Sequence, residues 1–143
     1  MSKVAVVYWS GTGNTEAMAN AVKSGAQATG AQVGFFKADE FHTDMVDSFD
    51  AIAFGCPAMG AEQLEESEFE PMFAGLEGSL NGKKVALFGS YGWGDGQWMR
   101  DWCERAKEDG AQLFSDEGLI CNETPDDDVQ AACRKLGADL ANW

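Results

Sequence analysis

Two rhythms of apolar and polar positions run along the chain. Short unbroken apolar runs appear at Val4 to Tyr8, Ala51 to Phe54 and Val85 to Phe88. They read as strands buried on both faces, which is the habit of a parallel sheet. A weaker run from Gln32 to Ala38, with Val33, Phe35 and Phe36, reads as the second strand in chain order. Between the runs, apolar residues recur at helical spacing: Met18, Ala21, Val22 and Gly25; then Phe69, Phe73, Leu76 and Leu80; then Trp98, Trp102, Cys103 and Ala106; and finally Val129, Ala132, Cys133, Leu136 and Leu140.

Local signals set the boundaries. Thr29-Gly30 and Gly110 stop the first and third helices, because glycine takes a left-handed cap without strain. Ser67 and Glu70 have capping-box spacing, with Pro71 tolerated in the first turn that follows. Thr124-Pro125 places proline at the first position of the last helix, ahead of Asp126, Asp127 and Asp128. Residues 39–49 read as a connection with a short helix around Met45, Val46 and Phe49. The third strand is Ala51–Gly55 and the fourth is Lys84–Ser90. Gln112 to Cys121 reads as a fifth strand interrupted at Ser115-Asp116-Glu117-Gly118. Strands alternating with helices, without repeats or linkers, predict an α/β domain of three layers around a parallel sheet, spanning 1–143.

Composition narrows the class. With 143 residues, 45% of them apolar, the chain suits one globular domain. No apolar run approaches the ~18 residues of a membrane span. Met1-Ser2-Lys3 leads straight into the first strand, which predicts a cytoplasmic protein without a signal peptide. Cys56, Cys103, Cys121 and Cys133 are widely spaced and form no C-x-x-C pair, so reduced thiols are expected rather than a metal cage. Asp and Glu number 24 against 10 Lys and Arg, a formal charge of -14. Nucleic acid and anionic membranes would repel such a chain, whereas a basic protein partner would be drawn to it.

The candidate chemistry lies in three loops. Ser10-Gly11-Thr12-Gly13-Asn14-Thr15 follows the first strand and opens a helix, so its N–H groups and the helix dipole converge on an anion site. It lacks the lysine of a P-loop. It also lacks the third glycine of a dinucleotide fingerprint, where Glu16 stands. Hydroxyls, an amide and N–H donors without a counter-charge suit one terminal phosphate monoester. The loop Cys56 to Gln63 carries Met59, whose thioether packs well against a flat ring, followed by Gly60. Gly60 can hold a positive φ at the first central position of a type II′ turn, with Ala61 second. The loop Ser90-Tyr91-Gly92-Trp93-Gly94-Asp95-Gly96 sets two aromatics among glycines, a platform for a flat ring.

These stretches, together with Leu64-Glu65-Glu66-Ser67-Glu68-Phe69-Glu70-Pro71 and Gly82 to Phe88, resemble short-chain flavodoxins of clostridial type. The resemblance implies a five-stranded parallel sheet of order 2-1-3-4-5. The three loops would then meet at the carboxyl ends of the first, third and fourth strands, where such sheets bind ligands. It implies non-covalent FMN held by Ser10, Gly11, Thr12, Gly13, Asn14, Thr15, Pro57, Ala58, Met59, Gly60, Ala61, Glu62, Ser90, Tyr91, Gly92, Trp93 and Gly94. In that resemblance Trp93 takes the outer flavin face, Met59 the inner face and Glu62 the pyrimidine edge. The chain departs from the family at Ala61, where relatives often carry an acidic or polar residue.

The implied activity is that of a low-potential one-electron carrier, not an enzyme, moving between oxidised, neutral semiquinone and hydroquinone states. The implied partners are basic-surfaced reductases and low-potential oxidoreductases, met by a monomer. Three rivals share the topology. An FMN-dependent NAD(P)H:quinone reductase needs room over the flavin where Trp93 is expected. A receiver domain needs acids where Tyr8-Trp9 and Gly55-Cys56 stand. A phosphatase wants a catalytic arginine, and none precedes Arg100. His42 is given no role.

Overall fold

The computed structural model describes residues 2–143. Strand β1 is Lys3–Tyr8, β2 is Gln32–Lys37, β3 is Ala51–Gly55 and β4 is Lys84–Tyr91. Two short strands follow, β5 at Gln112–Leu113 and β6 at Leu119–Asn122. Helices α1 (Asn14–Ala28), α2 (Phe69–Leu76), α3 (Gln97–Glu108) and α4 (Asp127–Asn142) alternate with them. The sheet is parallel, of order β2-β1-β3-β4-β5, with β6 also pairing β4. The expected order is therefore present. The fifth strand is in two pieces that pair successive parts of β4: Val85 with Leu113 and Phe88 with Leu119.

Alternation within β1 and β3 feeds two cores. Val4, Val6 and Tyr8 face α1 and α4, packing with Met18, Val22, Cys133 and Leu140. Ala5, Val7, Ile52 and Phe54 face α2 and α3, where Phe69, Phe73, Trp98 and Trp102 fill the layer. In that second core Phe69 and Phe73 each meet Trp102 edge-on, at centroid distances of 5.4 and 5.8 Å. Full burial of such side chains stabilises by ~1.5–3 kcal/mol each. On the opposite face the helices come closer than side chains allow. A Cβ built on Gly137 of α4 would lie 2.0 Å from the Val22 carbonyl oxygen, and one on Gly25 of α1 would fall inside the Arg134 carbonyl.

Two expected helix starts are corrected. Ser67 does not cap α2. The carboxylate of Glu65, which is buried, accepts the N–H groups of Ser67 (2.7 Å), Glu68 (2.8 Å) and Phe69 (2.9 Å). Glu70 turns away to take both terminal nitrogens of Arg105, at 2.7 and 2.6 Å. A carboxylate two residues upstream can satisfy three orphan donors where a hydroxyl satisfies one. In α4 the cap is Asp126, whose Oδ1 accepts from the Val129 N–H at 2.9 Å, so Pro125 lies just outside the helix. The connection 39–49 holds two short 3-10 turns, Ala38–Glu40 and Thr43–Ser48.

Candidate functional site

At the carboxyl ends of β1, β3 and β4 lies a cleft of about 430 Å³. It draws Gly11, Thr12 and Asn14 from the first loop, Pro57, Ala58 and Met59 from the second, and Ser90, Tyr91 and Gly92 from the third. The three expected loops therefore do meet. Pairing continues past the strand ends to hold them: Trp9 N–H donates to Gly55 O at 3.0 Å, Cys56 N–H to Phe88 O at 3.1 Å and Ala58 N–H to Ser90 O at 3.0 Å.

The first loop is built around Ser10 and Thr15. Ser10 Oγ accepts the N–H groups of Gly13 (3.1 Å) and Glu16 (3.2 Å), which curls the loop onto the start of α1. Gly13 completes the curl at φ 97, a left-handed conformation that a Cβ would disfavour. Thr15 is buried, and its Oγ1 shares a hydrogen bond of 2.8 Å with Ser90 Oγ, joining the first loop to the third. The N–H groups of Gly11, Thr12, Asn14 and Thr15 have no acceptor among the described residues. Successive free donors at the N-terminus of a 15-residue helix, beside the hydroxyl of Thr12 and the amide of Asn14, fit a phosphate group.

The second loop closes as a small hairpin. Met59 and Gln63 exchange both N–H···O bonds, each at 2.8 Å. Three residues, Gly60, Ala61 and Glu62, form its tip, with φ 52 at Gly60 and 53 at Glu62. Gly60 has the expected positive φ, but the turn is one residue longer than a two-residue II′ turn. Glu62 lies away from the cleft, and its Oε1 accepts from the Gln97 N–H at 3.0 Å, capping α3. That carboxylate lies against Gly94, where a Cβ would come within 2.6 Å of Oε1.

In the third loop Tyr91 packs on Trp98, with centroids 5.4 Å apart. Trp93 lies beyond the cleft lining and is 65% exposed, while Met59, within the lining, is 37% exposed. A tryptophan so bare has most of its ring free to be covered.

Three lining residues are additions to the sequence-based set: Trp9, Glu123 and Thr124. Trp9 directly precedes the phosphate-type loop. Glu123 and Thr124 follow β6, where the Glu123 N–H donates to Tyr91 O at 2.7 Å and Glu123 holds φ 60. The rule that ligands sit outside the carboxyl ends of neighbouring strands could have nominated that fourth loop.

Titration near the cleft is suppressed by burial. Burial and then the Glu16 carboxylate, 3.0 Å from the phenol, push Tyr8 up to about 12. Burial pushes the Cys56 thiol well up, so it is no nucleophile here. Burial works against ionisation of Glu65, but the N–H bonds from Phe69, Glu68 and Ser67 outweigh it and hold its pKa below the usual carboxylate range.

The geometry defines an α/β protein with a phosphate-type loop and an aromatic-edged cleft at the sheet's switch point. The flavodoxin family profile matches residues 6–136. A flavodoxin from Megasphaera elsdenii is 49% identical over 138 residues, covering 96% of this chain and 98% of its own length. One from Clostridium beijerinckii is 44% identical over 137 residues, at 96% and 98% coverage. The solution structure of two-electron reduced Megasphaera elsdenii flavodoxin superposes with a TM-score of 0.87 at 47% identity, covering 98% of this chain and 99% of that one. The chain belongs to the flavodoxin family. It is thus an FMN protein and an electron carrier that works with redox partner proteins.

Proposed function

We propose that this single-domain protein is a low-potential carrier of one electron at a time, taking its FMN through the oxidised, one-electron-reduced and two-electron-reduced states. FMN supplies the redox chemistry when bound; the chain binds it, orients it and tunes it. The 5′-phosphate is held by Ser10, Gly11, Thr12, Gly13, Asn14 and Thr15. The ring would be held by Pro57, Ala58, Met59, Gly60 and Ala61 on one side and by Ser90, Tyr91, Gly92, Trp93 and Gly94 on the other, and Glu62 would reach its edge only by giving up the Gln97 N–H. The observation that carries this reading is the cleft itself, where Gly11, Thr12 and Asn14, with unpaired N–H groups, line the same space as an exposed Met59. No side chain performs bond-making catalysis. The carrier works as a cytoplasmic monomer, and its charge of -14 favours reductases and low-potential oxidoreductases with basic docking faces.

The test is the visible spectrum of the purified protein, followed by acid release and identification of the chromophore. A yellow protein that releases FMN is expected. A colourless protein whose apo form takes up no FMN would overturn the assignment. Steady NADPH oxidation with a quinone, in the absence of any reductase, would instead favour a quinone reductase.

A further inference from the structure

The cleft wall beside the phosphate-type loop is Trp9, and what holds Trp9 lies outside the cleft. Its ring rests against Gly11, where a Cβ would approach to 3.0 Å of the indole. The ring's orientation is fixed at its other edge, where Nε1–H donates to Glu68 Oε1 at 3.1 Å. Glu68 lines no part of the cleft. Its backbone N–H donates to the buried carboxylate of Glu65 at 2.8 Å, within the cap that starts α2. Glu65 is tied back to the second cleft loop in turn, because its own N–H donates to Cys56 Sγ at 3.4 Å. Glu65 and Glu68 thus link α2 to two walls of the cleft.

We propose that Glu68 is a positioning residue for the phosphate side of the cofactor: set by the Glu65 cap, it orients Trp9 against Gly11 and so shapes the loop that receives the phosphate. The inference rests on the reading that this cleft holds FMN. Because the one hydrogen bond from Glu68 to a lining residue goes to Trp9, its influence falls on the phosphate end and not on the ring end. FMN and riboflavin, which differ by that phosphate, separate the two ends.

The experiment titrates apoprotein with FMN and with riboflavin for the wild type, Glu68→Ala, Glu68→Gln and Trp9→Phe, and for Glu68→Ala combined with Trp9→Phe. Removing this hydrogen bond, which is exposed and acts on the phosphate only through Trp9, should weaken FMN binding by about three- to tenfold, as for an ordinary hydrogen bond. Riboflavin binding should change less, and the melting temperature of the apoprotein should be unaltered. Glu68→Gln keeps an oxygen acceptor and should restore most of the FMN affinity. In the Trp9→Phe background, which has no indole N–H, Glu68→Ala should add nothing, the signature of two residues acting as one. Wild-type FMN affinity in Glu68→Ala, equal losses for both flavins, or a full additional loss on the Trp9→Phe background would each overturn the proposal. A wild-type apoprotein that binds no FMN would instead sink the cofactor assignment, a separate failure.

Discussion

Replacing Gly137 by alanine should destabilise the protein although alanine is the better helix former. The new Cβ would stand 2.0 Å from the Val22 carbonyl oxygen, and ordinary contact begins at 3.4 Å. Helices α1 and α4 must therefore part by about 1.4 Å at their crossing, the difference between those two distances. The obstacle is backbone on both sides, so no rotamer change relieves it. Opening a gap of ~0.5–1 Å already forfeits a quarter to a half of each dispersion contact, and the loss reaches Met18, Val22, Cys133 and Leu140. Overpacking of this kind typically costs about 1–3 kcal/mol, against a helix-propensity gain of about 1 kcal/mol. With backbone as the obstacle, the upper end applies, and a net loss of about 2 kcal/mol follows, or roughly 4–8 °C in melting temperature for a domain of this size. Urea unfolding of the apoprotein measures it. The same substitution at Gly75, an exposed position in α2 with nothing within 4 Å of the new Cβ, should stabilise by about 0.5–1 kcal/mol. Because α1 also carries the phosphate-type loop at its N-terminus, Gly137→Ala should weaken FMN binding as well. A Gly137→Ala protein as stable as the wild type would refute the close-crossing account.

Three further outcomes are expected. Burial, then the facing Glu77 carboxylate, with Glu108 adding to it and Arg105 opposing, raises Asp109 from 3.8 to about 6. A raised carboxyl stabilises the fold below its unfolded pKa, and that contribution fades as pH climbs through the folded value. Asp109→Asn should therefore gain on the wild type between pH 4 and pH 7 in denaturant titrations, and a pH-independent difference would speak against the shift. Trp93→Ala should bind FMN more weakly and leave the flavin's emission brighter; unchanged emission and affinity would leave Trp93 as a surface residue only. Stopped-flow electron transfer to a basic partner should slow as salt rises and the screening length falls from ~10 Å at 0.1 M to ~3 Å at 1 M. Rates flat with salt would argue against electrostatic docking.

The sheet was legible because Val4 to Val7 and Ala51 to Phe54 are apolar at every position, which only a strand covered on both faces requires. The break in the fifth strand was legible too, from the polar run Ser115-Asp116-Glu117-Gly118, poor in strand formers. The three loops could be brought together only through a strand order that the resemblance supplied. What escaped depends on tertiary placement. Glu65 is the exception: its three N–H partners are near in sequence, but it stands ahead of the serine that has capping-box spacing. Ser67, with the right spacing, was the natural choice from sequence. Glu62, given the pyrimidine edge by the resemblance, accepts from a helix N–H 35 residues away. Glu123 and Thr124 enter the cleft because β6 pairs the carboxyl half of β4, a register no periodicity reveals.

The split edge of the sheet bears on how the protein behaves when crowded. An uninterrupted outer strand offers a row of unpaired N–H and C=O groups on which another molecule can add a strand. Here that edge offers two residues at β5, a five-residue excursion, and four residues at β6. Phe114 and Ile120 are both 36% exposed along it, so a continuous strand would have presented a sticky, ordered ribbon. The interruption keeps these side chains out of a long, flat register, and like charge between molecules adds distance. This edge should then resist strand addition at high concentration. Shortening 114–118 until β5 and β6 fuse should be the change that makes the protein precipitate.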